Sequence, residues 1–307
     1  EPGADAIKLQ TYTPDTITLD CDTAPFRIGG DSPWAGKNLY QLYGEAYTPW
    51  EWQPKLFDAA RKLGMDAFSS PFDATAVDFL EQHGVPVHKI ASFEIVDIPL
   101  VEKIARTGKP LIMSTGMATE DEIREAVEAI YATGNRKLAL LKCTSAYPAS
   151  FNEMNLNTIP DMAKRFGVIS GLSDHTLGIA VPIAAVALGA RIIEKHFTLS
   201  RKDPGPDSAF SLEPAEFKAM VEAVRATEQA LGKVSYSCSA KEGANRMFRR
   251  SLFISEDVRA GESLTEKNVR SVRPSHGLHT RHLKEVIGKK ASRDLKMGTP
   301  LSWDLLE

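Results

Sequence analysis

From residue 1 to about residue 232, short apolar runs alternate with longer stretches whose apolar positions recur at helical spacing. The runs are almost continuously apolar and β-rich, as is typical of strands buried on both faces, and comprise residues 6–10, 66–70, 87–92, 110–115, 138–143, 168–173 and 191–197. The amphipathic stretches include residues 52–63, 74–83, 120–132, 176–188 and 214–231. Strand–helix alternation with short connections predicts a parallel sheet, either open and doubly wound or closed as a (β/α)₈ barrel.

Polar residues follow nearly every predicted strand at its carboxyl end. They are Lys8, Gln10, Ser69, Ser70, Lys89, Ser92, Glu94, Ser114, Ser145, Tyr147, Asp174, His175, Lys195 and His196. A barrel gathers such ends around one mouth, whereas an open sheet spreads them along an edge, so the pattern favours the barrel. Seven strands are predicted where a closed TIM barrel has eight. We therefore expect a (β/α)₈ barrel whose first βα unit precedes Glu1, with an open seven-stranded sheet as the alternative.

The pattern changes after residue 232. Residues 233–247 are polar with scattered Ser and Gly, which indicates a linker. Residues 248–307 contain short strand-like and turn-like segments and no long amphipathic stretch. The sequence thus predicts a barrel domain at residues 1–232, a linker at 233–247 and a small loop-rich domain at 248–307.

Composition adds a contrast between the two predicted domains. The chain of 307 residues is 43% hydrophobic and 25% charged, as expected of a folded globular protein. Its net charge of −3 argues against a nucleic-acid or membrane-surface binder. Residues 246–307 nevertheless hold 13 Lys and Arg against 8 Asp and Glu, a net charge of +5, and the remainder holds 24 against 32, a net charge of −8. A basic module of this kind could attract an anionic ligand or dock on the acidic body.

Several function classes lack their sequence signatures. The three cysteines form no Cys-x-x-Cys pair, which favours a reducing compartment, and no apolar run approaches the ~18 residues of a membrane span. No signal peptide opens the chain, so we expect a soluble cytoplasmic protein. A P-loop and the G-x-G-x-x-G, H-E-x-x-H and G-x-S-x-G motifs are also missing, which argues against nucleotide-dependent, zincin and α/β-hydrolase chemistry.

Two histidines stand at the ends of consecutive predicted strands. His175 closes the strand that ends at residue 173, and His196 lies in the next one. Because neighbouring strands are ~5 Å apart, these imidazoles could share one divalent metal ion with open coordination positions, which suits catalysis. The alternative is a pair of hydrogen-bonded core histidines.

Two lysines, Lys8 and Lys89, lie within otherwise apolar strands, where an ammonium group is costly unless it meets an anion. With the serines at the strand ends they predict a cradle for phosphate and carboxylate groups. A buried salt bridge to Glu94 or Glu194 and a Schiff-base lysine remain alternatives. The turn-rich segment 203–211, which contains Asp207, is either a simple turn or a substrate loop.

Motifs spread over all seven strands resemble the sialic acid synthase family of phosphoenolpyruvate-condensing nonulosonic acid synthases. They are KLQT at 8–11, FSSPFD at 68–73, KIASFE at 89–94, MSTGM at 113–117, CTSAYP at 143–148, GLSDHT at 171–176 and EKHF at 194–197. Residues 273–274 and 298–301 resemble the antifreeze-like (SAF, β-clip) domain appended to those enzymes. Segments 42–52 and 207–211 look most like the branch that makes pseudaminic acid, with the N-acetylneuraminate and legionaminate branches as alternatives.

The resemblance implies condensation of phosphoenolpyruvate with an N-acylated amino sugar, here 2,4-diacetamido-2,4,6-trideoxy-altrose, with release of phosphate by C–O cleavage. His175 and His196 match the ligands of a divalent metal, Mn²⁺ or Mg²⁺, and Glu94 and Glu194 match carboxylates close to the chemistry. The positions matched to phosphoenolpyruvate are Lys8, Lys89, Ser92, Ser114 and Ser145, and those matched to the sugar are Gln10, Tyr147 and Asp207.

Arg273 matches an arginine that one subunit offers to the barrel of the other in a domain-swapped homodimer. The resemblance implies a further glutamate on a strand that precedes the position of Glu1, and we expect the sequence from Glu1 onward to be a fragment or processed form without it. A Schiff-base aldolase and a non-catalytic carbohydrate-binding protein are the competing hypotheses, and neither nucleic acid nor a membrane is expected as a partner.

Overall fold

A seven-stranded parallel sheet forms the centre of the first of two units, Glu1–Gly232 and Lys233–Glu307, in the computed structural model, which describes residues 3–30 and 34–307. Its strands are β1 (Ala6–Thr11), β2 (Asp66–Pro71), β3 (His88–Ile90), β4 (Leu111–Ser114), β5 (Leu138–Cys143), β6 (Ile169–Asp174) and β7 (Ile193–Lys195). The strands are ordered as they occur in the chain, whereas a doubly wound sheet reverses its order at a switch point. The barrel-type topology is therefore confirmed.

The sheet is curled so far that its two edge strands face each other. Lys8 in β1 and Glu194 in β7 are 186 positions apart in sequence, yet their side chains are within 2.6 Å. Within the described residues no hydrogen-bonded ladder joins β1 to β7, so the sheet is a curled half-barrel. Its concave face carries the polar strand residues, and alternate residues such as Ile90, Met113 and Leu140 pack against helices in the main hydrophobic core.

The helices of this unit alternate with the strands. They are α1 (Pro14–Ile17), α2 (Leu39–Ala46), α3 (Gln53–Lys62), α4 (Ala74–Gln82), α5 (Ile98–Ala105), α6 (Glu120–Ala132), α7 (Thr158–Phe166), α8 (Ala180–Ala187) and α9 (Pro214–Leu231). The bounds of α6 and α9 agree with the prediction. In α6 the Thr119 hydroxyl accepts from the Glu122 N–H, and the Glu122 carboxylate accepts from the Thr119 N–H, which fixes the first turn.

Two differences from the predicted helices have local causes. The helix predicted at 176–188 begins only at Ala180, since the backbone of Thr176 is bonded to Asp174 and Lys195 instead. Helices α1, α2, α5 and α7 lie outside the predicted set, and all of them except α2 have a proline in the first turn, where a missing N–H costs little. None of the helices in the described residues has the length and apolarity needed to span a bilayer.

The second unit has a separate, smaller core. Helix α10 (Ala240–Ala244) lies within the predicted linker, and strands β8 (Ser251–Ile254) and β9 (Val269–Val272) pair antiparallel before the short helix α11 (Leu283–Val286). The core is formed by Leu252, Ile254, Val258, Leu264, Val269, Val286, Ala291, Leu295, Leu301 and Leu305. The short strands agree with the loop-rich pattern of residues 248–307.

Candidate active site

A carboxylate between two lysines occupies the concave face of the sheet. Glu194 Oε1 lies 2.6 Å from Lys8 Nζ, and Glu194 Oε2 lies 3.7 Å from Lys89 Nζ. The side chain of Lys89 is only 2% exposed, and that of Glu194 is 17% exposed. Of the two carboxylates considered as salt-bridge partners, Glu194 is thus the one that pairs with both lysines.

The charges of this cluster are strongly coupled. Burial alone would raise the pKa of Glu194, but attraction to Lys8 and Lys89 outweighs it and lowers that pKa to about 2. Burial lowers the pKa of Lys89 to about 8, with the Glu194 charge opposing the shift. Two ammonium groups therefore face one permanently ionised carboxylate. The surplus positive charge suits a site that receives an anion.

Hydroxyl groups converge beside the lysines. Lys89 Nζ donates to Ser114 Oγ at 2.7 Å. Ser92 and Ser145 meet at Gly116, where an added Cβ would lie 2.4 Å from Ser92 Cβ and 2.5 Å from Ser145 Oγ. Any side chain at position 116 would force these hydroxyls apart. The structure thus brings the predicted phosphoenolpyruvate residues together and adds Gly116, which the sequence analysis did not single out.

Glu94 differs from Glu194 in its surroundings. It lies in a short 3₁₀ helix after β3, and its Oε2 atom is buried without a hydrogen-bond partner in the described part of the chain. Burial raises the pKa of Glu94 to about 7, and the nearby Lys89 charge offsets only part of this shift. A carboxyl group with this pKa can hold or release a proton near neutral pH. Its predicted place close to the chemistry is compatible with such a role.

The two histidines are neighbours at the ends of β6 and β7. The ring centroids of His175 and His196 are 5.2 Å apart. His175 Nδ1 lies 2.9 Å from the Thr144 carbonyl oxygen, and His196 Nδ1 lies 3.4 Å from Asp207 Oδ2. Metal-binding histidines are commonly oriented in this way, with one nitrogen held by a carbonyl or carboxylate oxygen and Nε2 left for the ion.

A divalent cation therefore fits this donor pair. Among residues 3–30 and 34–307, no group of three or more His, Cys, Asp or Glu side chains is arranged to hold a metal ion. A cation held by two imidazoles would keep several coordination positions for substrate or water, as cations in catalytic sites do.

Aromatic rings line the same region. We name Trp34, Tyr147, Phe210, His175 and His196 the aromatic wall. Tyr147 lies 4.6 Å from His175, 5.3 Å from Phe210 and 5.9 Å from Trp34, measured between ring centroids. Phe210 lies 5.1 Å from His196. Trp34 Nε1 donates to the carbonyl oxygen of Pro206, next to Asp207, at 3.3 Å. Trp34 and Phe210 were not predicted as site residues.

Three further residues bear on the candidate site, namely Gln10, Cys143 and Arg273. Gln10 lies two positions after Lys8 in β1, so strand periodicity places both on the concave face. Cys143, considered in the sequence only for disulfide and metal spacing, has its Sγ 3.9 Å from His175 Nδ1 and 3.8 Å from Ser145 Oγ. The sequence pattern that could have identified Cys143 as a site residue is its position two residues before Ser145. Arg273 follows β9 in the second unit and is exposed.

Comparisons with known proteins cover both units. The NeuB family model matches residues 1–236, and the SAF domain model matches residues 249–307. Pseudaminic acid synthase of Helicobacter pylori is 48% identical over 308 residues, which cover 100% of this chain and 90% of that protein. N,N'-diacetyllegionaminic acid synthase of Campylobacter jejuni is 35% identical over 300 residues, 96% of this chain and 89% of that protein. The crystal structure of N-acetylneuraminic acid (sialic acid) synthetase from Leptospira borgpetersenii, in complex with citrate, matches with a TM-score of 0.69 and 31% identity over 80% of each chain.

Proposed function

The chain belongs to the NeuB family, and on that premise we propose that it condenses phosphoenolpyruvate with 2,4-diacetamido-2,4,6-trideoxy-altrose to give pseudaminic acid and phosphate. The observation that carries the proposal is the cluster of Lys8, Lys89 and Glu194 on the same sheet face as the histidine pair. Phosphoenolpyruvate is a multiply charged anion, so its capture requires fixed cations and hydroxyl donors. The higher identity to a pseudaminic acid synthase than to a legionaminic acid synthase supports the choice of sugar.

In the proposed reaction the lysines and serines bind and orient phosphoenolpyruvate. Lys8 and Lys89 attract its phosphate and carboxylate groups, while the hydroxyls of the serine group donate hydrogen bonds; that group is Ser92, Ser114 and Ser145. Because its pKa is about 2, Glu194 stays ionised and holds both ammonium groups in place. We therefore assign Glu194 to fixing the lysines and not to proton transfer.

The bond changes balance with water as the one further reactant. Carbon 3 of phosphoenolpyruvate forms a bond to the sugar's aldehyde carbon, whose oxygen gains a proton. Water adds at carbon 2. One of its protons balances the proton gained by the aldehyde oxygen, and the other goes to the departing phosphate as the bond from carbon 2 to the phosphate oxygen breaks, leaving a 2-keto acid and inorganic phosphate. Glu94, with a pKa of about 7, is placed to exchange these protons.

We propose His175 and His196 as the ligands of Mn²⁺ or Mg²⁺, which when bound would polarise the sugar's aldehyde oxygen. Gln10, Tyr147 and Asp207 are the proposed sugar contacts. The resemblance extends the proposal to a domain-swapped homodimer, in which Arg273 acts on the substrate of the other subunit. Free cysteines, of which Cys143 is buried, support a cytoplasmic location.

The assignment is tested by incubating the full chain with Mn²⁺, phosphoenolpyruvate and each of three sugars: the altrose derivative, its manno stereoisomer and N-acetylmannosamine. We expect phosphate release and a nine-carbon keto acid, detected by mass spectrometry, with the altrose derivative. Release only with N-acetylmannosamine would make the protein a sialic acid synthase. A borohydride-trapped lysine adduct that forms in EDTA would support the aldolase alternative, and phosphoenolpyruvate binding without turnover of any sugar would support a binding protein.

Trp34→Ala is expected to weaken sugar binding selectively. The proposed sugar carries a methyl group at carbon 6 and two acetamido groups, which are apolar enough to pack on the aromatic wall. Loss of one ring should raise KM for the sugar about fivefold, since an aromatic contact is worth about 1 kcal/mol. KM for phosphoenolpyruvate and kcat should stay within about twofold of the original. Steady-state kinetics with each substrate varied in turn measures both effects.

The matched control is Trp52→Ala, because Trp52 is 57% exposed and lies outside the aromatic wall. It should leave both KM values unchanged. Equal rises of KM for the sugar and for phosphoenolpyruvate in the Trp34 variant would contradict a sugar-specific role.

A further inference from the structure

A buried ion pair joins β6 to β7 directly next to the two histidines. Lys195 Nζ lies 2.6 Å from Asp174 Oδ2, and the two side chains are 1% and 0% exposed. Asp174 and Lys195 are register partners at the ends of their strands. In the sequence, both residues belong to the polar set predicted to surround the barrel mouth. Strand alternation instead directs them away from the face that carries Ser173 and Glu194, so they take no part in the mechanism above.

The pair also fixes the backbone that follows His175. Asp174 Oδ1 accepts a hydrogen bond from the Thr176 N–H at 2.9 Å, and Lys195 Nζ donates to the Thr176 carbonyl oxygen. The carbonyl oxygen of His175 accepts from the Ala149 N–H at 3.0 Å. We name Asp174 and Lys195, with their bonds to Thr176, the Asp174–Lys195 clamp. The backbone on both sides of His175 is therefore held.

The clamp also adjoins the second histidine, because His196 directly follows Lys195 in the chain as His175 follows Asp174. One ion pair thus fixes the distance between the two points at which the histidines leave their strands. A fully buried ion pair adds little net stability compared with an apolar pair of the same volume. Stability alone is therefore a weak explanation for two charged groups without exposed surface.

From this geometry we infer that Asp174 and Lys195 are positioning residues that set the spacing of His175 and His196 for one divalent cation. The inference rests on the proposed function, since it takes the two histidines as the cation's ligands. Metal sites depend on ligand placement to within a few tenths of an ångström, and residues that orient ligands commonly change affinity by about 10–100-fold.

The test is the double variant Asp174→Asn plus Lys195→Met, which removes both charges together. The Asn side-chain oxygen can still accept from the Thr176 N–H, and no uncompensated charge stays buried. We expect Mn²⁺ binding without substrates, followed by electron paramagnetic resonance of free Mn²⁺, to weaken by about 10–100-fold. The melting temperature and phosphoenolpyruvate affinity in EDTA should stay close to the original values.

A matched control replaces a second ion pair of the same residue types. Lys103 Nζ lies 2.7 Å from Asp78 Oδ1 between α5 and α4, and Asp78→Asn plus Lys103→Met should leave Mn²⁺ affinity unchanged. Asp174→Glu, which keeps both charges but lengthens one side chain, should weaken Mn²⁺ binding to a smaller extent. These variants separate ligand spacing from charge removal in general.

Two outcomes overturn the inference. If the folded double variant binds Mn²⁺ as tightly as the original chain, the clamp does not position the histidines. If the double variant unfolds, the pair has a structural role. Failure of the proposed function is distinguishable from both, because His196→Ala would then leave Mn²⁺ affinity unchanged.

Discussion

Lys89→Met should lower turnover by about 10²–10³-fold and at the same time raise the stability of the fold. The loss of activity follows because Lys89 is one of two fixed cations in the proposed phosphoenolpyruvate site, and a preorganised charged donor is commonly worth that much. The gain in stability follows from burial. The pKa of Lys89 is lowered to about 8 from its ordinary value of 10.5, so its ammonium is disfavoured in the folded chain by about 3 kcal/mol.

Methionine fills a similar volume without a charge, and Glu194 keeps Lys8 as its partner at 2.6 Å. We therefore expect a stability increase of about 1–3 kcal/mol at neutral pH, after allowance for the lost bond to Ser114. Chemical denaturation followed by circular dichroism measures the stability, and phosphate release measures turnover. Lys55→Met, at an exposed position of α3, is the control and should change neither by much.

The pH dependence of folding stability provides a second test of the Lys89→Met prediction. A lysine with a lowered pKa binds its proton more weakly in the folded chain than in the unfolded chain. The unfolded chain thus holds more protons between about pH 8 and pH 10.5, and the Lys89 contribution to stability rises with pH across that window. The stability difference between the original chain and Lys89→Met should shrink over this range. A variant that is less stable at neutral pH would show that the Lys89 ammonium stabilises the fold, which contradicts the argument.

The concave polar face could be predicted from the sequence, but its pairings could not. Lys8 and Lys89 are conspicuous because each interrupts an apolar strand. The choice between Glu94 and Glu194 as their partner depends on how β1 and β7 approach each other across the curled sheet. That approach joins residues 186 positions apart, and no local pattern encodes it. Similarly, the convergence of Ser92 and Ser145 on Gly116 depends on the conformations of the three segments that follow β3, β4 and β5.

In the Asp174–Lys195 clamp, a difference of one position along the strand decides which face of the sheet a side chain belongs to. In sequence, Asp174 and Lys195 look like the polar neighbours beside them. Their side chains nevertheless alternate with those of His175 and Glu194, so they belong to the opposite face of the strands. Strict period-two counting from Glu194 would have separated the faces. Trp34 and Phe210 gave no such signal, because Trp34 lies in a turn and Phe210 in a three-residue 3₁₀ helix, both too short to show a periodic pattern.

His196→Ala is expected to remove Mn²⁺ binding and to lower turnover by about 10²–10⁴-fold while the fold is kept. The activity estimate corresponds to several kcal/mol of lost charge stabilisation at the sugar's aldehyde oxygen. The fold should persist because His196 is half-buried at the end of a strand and contributes little to the core. Its carbonyl oxygen, which accepts from the Leu212 N–H at 2.9 Å, is unaffected by the substitution.

The control is His83→Ala, a half-buried histidine at the end of α4, which should keep Mn²⁺ affinity and turnover. Comparison with Lys89→Met separates the two halves of the proposed site. His196→Ala should lose Mn²⁺ and keep phosphoenolpyruvate binding in EDTA, whereas Lys89→Met should lose phosphoenolpyruvate binding and keep Mn²⁺. Unfolding of His196→Ala would instead support a core histidine. Loss of both ligands in both variants would mean that metal and phosphoenolpyruvate sites are not separable, because each then depends on the other for its geometry.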